Sequence, residues 1–206
     1  MFLLDARLNR VDDPFTFFDG GPLLSAETLA ELNATLPDHA LYSREIKVGA
    51  EFPKNYNMWR YALYENGART ESAAALAPVW RTLLDEVLGP GLRDWLTAET
   101  GVALDGRRMT VGLYGFDGGD YTTIDHGKLE KALSMALYLN DVWAADWGGN
   151  LHLWRAKAAS EPPARTYVPM GGLCVVAWWG AETWHSIGPV RTGCSRLAMM
   201  IEYWKD

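Results

Sequence analysis

The second half of the chain, from Arg107 onward, is built of short runs of β-branched and aromatic residues separated by Gly and Pro. The seven runs are RMTVGLYGF, KALSMALYLN, GGNLHLW, RTYVPM, GLCVVAWW, WHSIGPV and SRLAMMIEYW. Short strands at near-regular spacing are typical of an antiparallel sandwich or jelly roll, and not of a parallel α/β sheet. We therefore predict a mainly β core over residues 106–206.

Residues 1–105 show helical patterns and are interpreted as a helix-rich support packed on one sheet. Ser25 is a suitable N-cap for SAETLAELNATLP, and the segments ESAAALAPVWRTLLDEVLG and GLRDWLTAETG predict two further helices. NYNMWRYALYENG, with its Asn66-Gly67 turn, predicts a strand or an irregular lip, and MFLLDARLNRVDD predicts a first strand. No repeat or linker separates the halves, so we expect one domain spanning 1–206.

Charge and composition exclude several classes of function. The chain has 206 residues and a net charge of -7 without a basic stripe, which argues against nucleic acid as a partner. No run approaches the roughly 20 apolar residues of a membrane helix, and the N-terminus lacks the apolar core of a signal peptide. Cys174 and Cys194 do not suggest zinc or a disulfide framework. We expect a cytoplasmic monomer or homodimer.

Four side chains are the first candidates for carrying chemistry. His39 follows a helix in a polar turn and is interpreted as a surface residue, and His152 alternates with two leucines and should face away from them. His185 lies between an aromatic run and a Gly-Pro turn. Arg196 begins an apolar strand, where a buried guanidinium needs an anion or an acidic partner; the residues alone leave open which of the two it has.

The segment from Tyr114 to Trp204 resembles the iron(II) and 2-oxoglutarate-dependent dioxygenases, in particular the prolyl-4-hydroxylase-like branch. The matching motifs, in the family's order, are YGFDGGDYTTIDHGKLEKALSMALYLND, WGGNLHLW, WWGAETWHSIGPV and SRLAMMIEYW. The resemblance implies a double-stranded β-helix of the cupin-like jelly-roll type. It also implies Fe(II), 2-oxoglutarate as co-substrate and O2, with the metal held by a His-x-Asp pair and a distal histidine.

Carried over residue by residue, the resemblance assigns His185 as the distal histidine and Arg196 as the residue that binds the distal carboxylate of 2-oxoglutarate. A guanidinium is geometrically suited to pairing with a carboxylate. Tyr114 and Tyr138 fall where the family places tyrosines that line the co-substrate.

The family's His-x-Asp pair is replaced by Asp125-His126-Gly127. In an ungapped match Asp125 takes the histidine's place and Gly127 takes the aspartate's place, while His126 should point to the opposite face of an extended strand. Three alternatives remain: Asp125 binds iron, a bulge turns His126 inward as the ligand, or the metal site is lost. If Asp125 binds, its charge disfavours chloride; if His126 binds, chloride or water would fill the position at Gly127.

The resemblance implies decarboxylation of 2-oxoglutarate to succinate coupled to oxidation of an unactivated C–H bond. We expect hydroxylation of a small molecule such as an amino acid or biosynthetic intermediate, with halogenation, desaturation or cyclisation as alternatives and a protein substrate second. A rival is a non-catalytic carboxylate-binding module. Arg60, Trp59 and Trp147 are the predicted substrate residues at the pocket lip, with Tyr61 and Trp143 beside them.

Overall fold

This computed structural model describes residues 1–49, 54–157, 161–177 and 182–205, which contain thirteen strands and four α-helices. The strands are β1 Asn9–Val11, β2 Phe17–Gly20, β3 Ser43–Lys47, β4 Tyr56–Glu65, β5 Ala68–Arg69, β6 Met109–Phe116, β7 Tyr121–Asp125, β8 Lys131–Tyr138, β9 Leu151–Leu153, β10 Arg165–Tyr167, β11 Cys174–Ala177, β12 His185–Ile187 and β13 Arg196–Trp204. The helices are α1 Ala26–Ala34, α2 Glu71–Ala74, α3 Pro78–Leu88 and α4 Pro90–Thr100.

The strands pair antiparallel in the order β1-β2-β11-β8-β13-β6-β4-β7-β12-β9-β10, with β3 and β5 also paired to β4. The sheet curls so that β7, β12 and β9 face β8, β13 and β6 across an interior cavity that both groups line. This is the predicted jelly-roll, double-stranded β-helix architecture, and the predicted fold class is confirmed.

Alternation along β13 separates the cavity from the main hydrophobic core. Met199, Ile201 and Tyr203 face outward and pack in one cluster with Trp80 and Leu83 of α3. The intervening residues of β13, among them Arg196 and Glu202, line the cavity, because successive side chains in a strand point to opposite faces. The helices thus cover the outer face of the sheet and leave its inner face to the cavity.

Sequence patterns located the helices well but joined two of them. The side chain of Ser25 accepts a hydrogen bond from the amide of Thr28, as predicted for the α1 N-cap, and Gly101 ends α4 in the left-handed conformation. The predicted second helix is two helices, because Pro78 starts a new helix at its first turn.

The description of the first half as helix-rich was incomplete. β2, β3 and β5 were not predicted, and the expected N-terminal strand is confined to Asn9–Val11. The Asn66-Gly67 hairpin turn is confirmed, with both residues at positive φ. Each of the seven predicted runs contains a strand, while Trp178 and Trp179 of GLCVVAWW lie outside the described residues.

Two findings bear on the class of protein. Within the described ranges, no helix combines the length and the apolar character needed to cross a membrane. Cys174 and Cys194 are both free thiols.

Candidate functional site

The candidate site is a cavity of about 900 Å³ enclosed by the two groups of facing strands. Along the inner face of β13, Arg196 lies at one end and Glu202 and Trp204 lie at the other, about 20 and about 26 Å away at the usual rise of an extended strand. An apolar cluster that includes Phe116 and Val190 surrounds the Arg196 end. Exposed residues line the Trp204 end, which we call the mouth.

Arg196 is the most deeply placed charge of the cavity, with a side chain only 3 % exposed. Its guanidinium lies between the rings of Phe116 and Tyr138, at 5.0 and 5.3 Å from their centroids. Burial lowers the pKa of Arg196, although Tyr138 opposes this shift. Within the described ranges Arg196 has no ion pair, and its Nε and the Tyr138 hydroxyl are buried without a hydrogen-bond partner. The acidic side chain that the sequence left open as a partner of Arg196 is therefore not found among the described residues.

Two consecutive glycines make room for the Arg196 side chain. Gly148 and Gly149 adopt positive φ values of 70° and 64°. A Cβ on Gly149 would lie 3.1 Å from Cδ of Arg196, and one on Gly148 would lie 2.0 Å from the carbonyl oxygen of Pro189. The WGG motif thus allows a close backbone approach that larger residues would block.

The predicted tyrosines and Arg60 lie on neighbouring strands of the same inner face. Tyr138 on β8 and Tyr114 on β6 are both opposite Ala198 of β13, and Arg60 on β4 is opposite Tyr114. The Nε of Arg60 donates to the Tyr114 hydroxyl at 3.1 Å, and its guanidinium also pairs with Glu65. Arg60 therefore lines the cavity but already has an acidic partner.

Asp125 and His185 are directly opposite each other on β7 and β12. Both line the cavity, on strands that face β13. Burial alone would raise the pKa of Asp125, but Lys54 and the amide of Gly127 outweigh it and hold that pKa below its usual value. The carboxylate is therefore ionised at neutral pH.

His185 is set up as a neutral imidazole with a defined tautomer. Its Nδ1 lies 3.0 Å from the carbonyl oxygen of Thr183. Because a carbonyl only accepts, Nδ1 must carry the proton, which gives Nε2 the lone pair that a metal ligand needs. Burial, and then the charge of Lys54, lower the pKa of His185 to about 3.

Lys54 is a cavity residue that sequence reasoning missed. Its Nζ lies 3.3 Å from Oδ2 of Asp125, and both side chains are largely shielded from solvent. Burial lowers the pKa of Lys54, and the carboxylate of Asp125 opposes this shift. No sequence pattern in the segment before β4 indicates which of its residues face the cavity. The contact between Lys54 and Asp125 is therefore visible only in the folded structure.

The backbone beyond Asp125 departs from the extended strand assumed in the ungapped match. β7 ends at Asp125, whose Oδ2 accepts from the amide of Gly127 at 2.9 Å, and Gly127 has a φ of 75°. His126 lines the same cavity, with its Nδ1 donating to the carbonyl of Gly127 and its ring 5.1 Å from that of Trp184. His126 therefore faces the cavity. In an extended strand its side chain would instead point to the face opposite Asp125.

Two predicted substrate residues lie outside the cavity. Trp59 alternates with Arg60 on β4 and faces the other way, with its ring 4.4 Å from His39 and 4.6 Å from the guanidinium carbon of Arg44. Trp147 packs against Trp143 in the apolar cluster behind Arg196. Neither tryptophan is among the described residues that line the cavity, so a role at its lip stays a prediction.

Sequence reasoning also missed a polar row near the mouth. Glu202 is opposite Ser134 on β8 and Thr110 on β6, and its carboxylate accepts from Thr110 and pairs with Lys131. The alternation of SRLAMMIEYW places Glu202 on the same face as Arg196, and this could have identified it.

The donor set decides which groups the cavity can hold. A carboxylate and an imidazole are both ligands that Fe(II) accepts, so Asp125 and His185 fit a metal with two protein ligands. Across the described ranges, no group of three His, Cys, Asp or Glu side chains could hold a metal ion. The unpartnered Nε of Arg196 and hydroxyl of Tyr138 fit a carboxylate such as that of 2-oxoglutarate.

Comparisons with known proteins identify a similar sequence family and similar folds. Residues 113–204 match the sequence model of the 2OG-Fe(II) oxygenase superfamily. The fold is similar to a prolyl-4-hydroxylase of Pseudomonas putida, with a TM-score of 0.57, 17% identity and 92% of each chain covered. No curated protein matches the sequence.

Two further solved structures are similar. The viral collagen prolyl hydroxylase of Paramecium Bursaria Chlorella virus-1, a 2OG complex, has a TM-score of 0.55 and 13% identity, with 99% of both chains covered. The non-heme alpha ketoglutarate dependent epimerase SnoN from nogalamycin biosynthesis has a TM-score of 0.59 and 16% identity, covering 92% of this chain and 77% of that one. Residues 113–204 therefore carry the sequence pattern of the 2OG-Fe(II) oxygenase superfamily, a family that uses Fe(II), 2-oxoglutarate and O2, and the chain as a whole shares the fold of these solved structures.

Proposed function

We propose that the protein is a 2-oxoglutarate-dependent oxygenase that hydroxylates an aliphatic C–H bond of a small molecule. The observation that carries the proposal is the position of Arg196, buried without an ion pair in the described ranges and facing the same cavity as Asp125 and His185. Burying an unpaired guanidinium is costly unless an anion arrives to pair with it. A dicarboxylate with one end at Arg196 would point its other end toward the middle of the cavity.

Each residue has a defined task in this proposal. Arg196 binds the distal carboxylate of 2-oxoglutarate, and the Tyr138 hydroxyl donates a further hydrogen bond to it. Asp125 and Nε2 of His185 hold the metal from adjacent strands. Fe(II), when bound, supplies the redox centre at which O2 and 2-oxoglutarate become succinate and CO2 as the substrate C–H bond is oxidised. Apolar cavity residues such as Leu153 and Ile187 limit access of water.

The identity of the carboxylate ligand favours hydroxylation over halogenation. Asp125, not His126, is opposite His185 in the strand register. An anionic ligand at this position already supplies the negative charge that chloride would supply in a site with two neutral ligands, so adding chloride would leave an excess negative charge. Hydroxylation therefore needs no further anion at the metal.

The cavity supports a small molecule as substrate. Its volume of about 900 Å³ lies within the range of ligand pockets and exceeds what 2-oxoglutarate alone would fill. The similar solved structures do not favour a small molecule over a peptide as substrate, since they include prolyl hydroxylases as well as the epimerase of nogalamycin biosynthesis. A peptide substrate therefore stays the second candidate.

The test is anaerobic formation of the visible charge-transfer band of an Fe(II)–2-oxoglutarate complex. We expect the wild type and His126→Ala to form it, and Asp125→Ala and His185→Ala to lose it. Succinate release, measured with and without chloride, should follow the same pattern and be independent of chloride. If His126→Ala and His185→Ala lose the band while Asp125→Ala keeps it, His126 is the ligand; if the wild type forms none, the chain is a carboxylate-binding module without metal.

A further inference from the structure

The charges of the cavity are opposite in sign to the charge of the whole protein. The chain carries a net charge of -7, yet among the described residues that line the cavity seven are Lys or Arg and four are Asp or Glu. Bound Fe(II) and 2-oxoglutarate would leave this balance unchanged, because a divalent cation and a dianion cancel. The cavity would therefore keep an excess of positive charge after both are bound.

The acidic residues that line the cavity are already paired with basic neighbours. Asp125 pairs with Lys54, Glu202 pairs with Lys131, and Glu45 and Glu65 both pair with Arg60. Arg196 is placed for 2-oxoglutarate at the far end. The excess charge must therefore come from other basic residues.

Two of these remaining basic residues are at the mouth. Arg108 and Lys128 are both exposed, and neither forms an ion pair within the described ranges. Their charged groups lie 4.6 and 5.4 Å from the centroid of the Trp204 indole, and Nζ of Lys131 lies 5.6 Å from it. Three cations thus share one aromatic ring, within the range of cation–π attraction, and Glu202 offsets only one of them.

The backbone fixes this arrangement. The amide of Lys131 donates to the carbonyl of Lys128 at 3.1 Å, which closes the turn that brings both lysines to the ring. The amide of Trp204 donates to the carbonyl of Arg108 at 2.9 Å, and the indole Nε1 donates to the Thr110 hydroxyl at 3.0 Å. These bonds place the backbones of the three basic residues beside the ring, so their like charges lie close together, and an anion between them would relieve the repulsion.

We propose that Arg108 and Lys128, with Lys131 and Trp204, form a binding site at the cavity mouth for an anionic group of the substrate. The substrate class is therefore a small molecule with a carboxylate, sulfonate or phosphate on the side away from the oxidised carbon. This inference rests on the proposed function, since it assumes that 2-oxoglutarate occupies the Arg196 end. It assigns the opposite end of the same cavity to the substrate.

The experiment uses a pair of fluorescent probes that differ mainly in charge. Anilinonaphthalene-8-sulfonate carries a sulfonate on an aromatic body, and N-phenyl-1-naphthylamine is its uncharged counterpart. Both are titrated into the full-length protein with saturating 2-oxoglutarate. We expect Arg108→Gln/Lys128→Gln to bind the sulfonate at least about fivefold more weakly than the wild type, with the uncharged probe unchanged. The preference should shrink in 1 M salt.

Three further variants test whether the effect belongs to the mouth. Arg81→Gln/Lys157→Gln removes the same charge from exposed positions that do not line the cavity and should bind both probes as the wild type does. Lys128→Glu, a reversal at an exposed position, should weaken the sulfonate further. Arg196→Gln should lose 2-oxoglutarate, measured by equilibrium dialysis, but keep the preference for the sulfonate.

The anion site and the proposed function can fail separately. If the mouth variant binds the sulfonate like the wild type, or loses the uncharged probe to the same extent, the anion site is refuted while 2-oxoglutarate binding stands. If Arg196→Gln abolishes the preference, the sulfonate occupies the wrong end and the anion site is also refuted. If the wild type binds no 2-oxoglutarate, the proposed function fails, whatever the probes show.

Discussion

Nζ of Lys54 lies 3.3 Å from Oδ2 of Asp125, which in turn is directly opposite His185. A cation of the protein therefore contacts the carboxylate to which the ungapped match gives the position of the family's histidine. For a metal to bind Asp125, this ammonium must move away or share the carboxylate.

Replacement of Lys54 by methionine should strengthen metal binding. The substitution removes a positive charge that would repel a divalent cation at the proposed ligand, so we expect the Mn(II) affinity to rise at least about tenfold. Free Mn(II), measured by electron paramagnetic resonance, gives the affinity. Lys47→Met, which removes another lysine of the cavity, is the matched control and should change it little. An affinity that is unchanged or lower in Lys54→Met would mean that Lys54 does not compete with the metal.

Gly127 should not tolerate a side chain without loss of stability. Its φ of 75° is a conformation that costs an L-residue about 1–2 kcal/mol, so Gly127→Ala should lower the free energy of unfolding by about 1 kcal/mol in urea titrations. Gly91→Ala is the control: Gly91 lies in α4, and its added Cβ would come no closer than 3.8 Å to Leu4. Equal stability of Gly127→Ala and the wild type would contradict the turn at this position.

The backbone at Gly127 is one feature of the site that local sequence patterns do not predict. The seven strand-containing runs, the N-cap at Ser25 and the inward face of β13 follow from local patterns of apolar and turn residues, and the structure has them. The end of β7 at Asp125 depends on a left-handed glycine and on a side chain that accepts from its own backbone, which an ungapped alignment treats as extended strand. Lys54 depends on a contact across 71 positions of sequence, and no local pattern encodes it.

The two free cysteines should differ in reactivity. Burial raises the pKa of Cys174 to about 12, so its thiol stays protonated and unreactive at pH 8, because the thiolate is the nucleophile. Cys194 is partly exposed. Iodoacetamide at pH 8 should therefore alkylate Cys194 alone in the native protein and both cysteines in urea, as counted by mass spectrometry. Modification of Cys174 in the native state would indicate that β11 opens more readily than its position in the sheet implies.

Replacement of Arg196 should separate co-substrate binding from folding. Arg196→Gln removes one partner of the proposed guanidinium–carboxylate pair, and the loss of such a pair costs at least about 2 kcal/mol, so 2-oxoglutarate affinity in equilibrium dialysis should fall at least about thirtyfold. Arg196→Lys keeps the charge but not the two-point geometry, so its 2-oxoglutarate affinity should lie between those of the wild type and Arg196→Gln. Tyr138→Phe should weaken binding by about threefold to tenfold, whereas Tyr61→Phe, whose hydroxyl bonds Ser72 in the core, should not.

The same variant should not lower the stability of the protein when no ligand is bound. Without a ligand, the Arg196 guanidinium is a buried charge with no ion pair in the described ranges, so its removal loses only its contacts with the Phe116 and Tyr138 rings and relieves a desolvation cost. Arg196→Gln should therefore unfold at the same temperature as the wild type or higher in buffer, and should lose the rise in unfolding temperature that 2-oxoglutarate gives the wild type. If the variant instead unfolds earlier in buffer, Arg196 has a structural partner, and its buried position no longer argues for a co-substrate carboxylate.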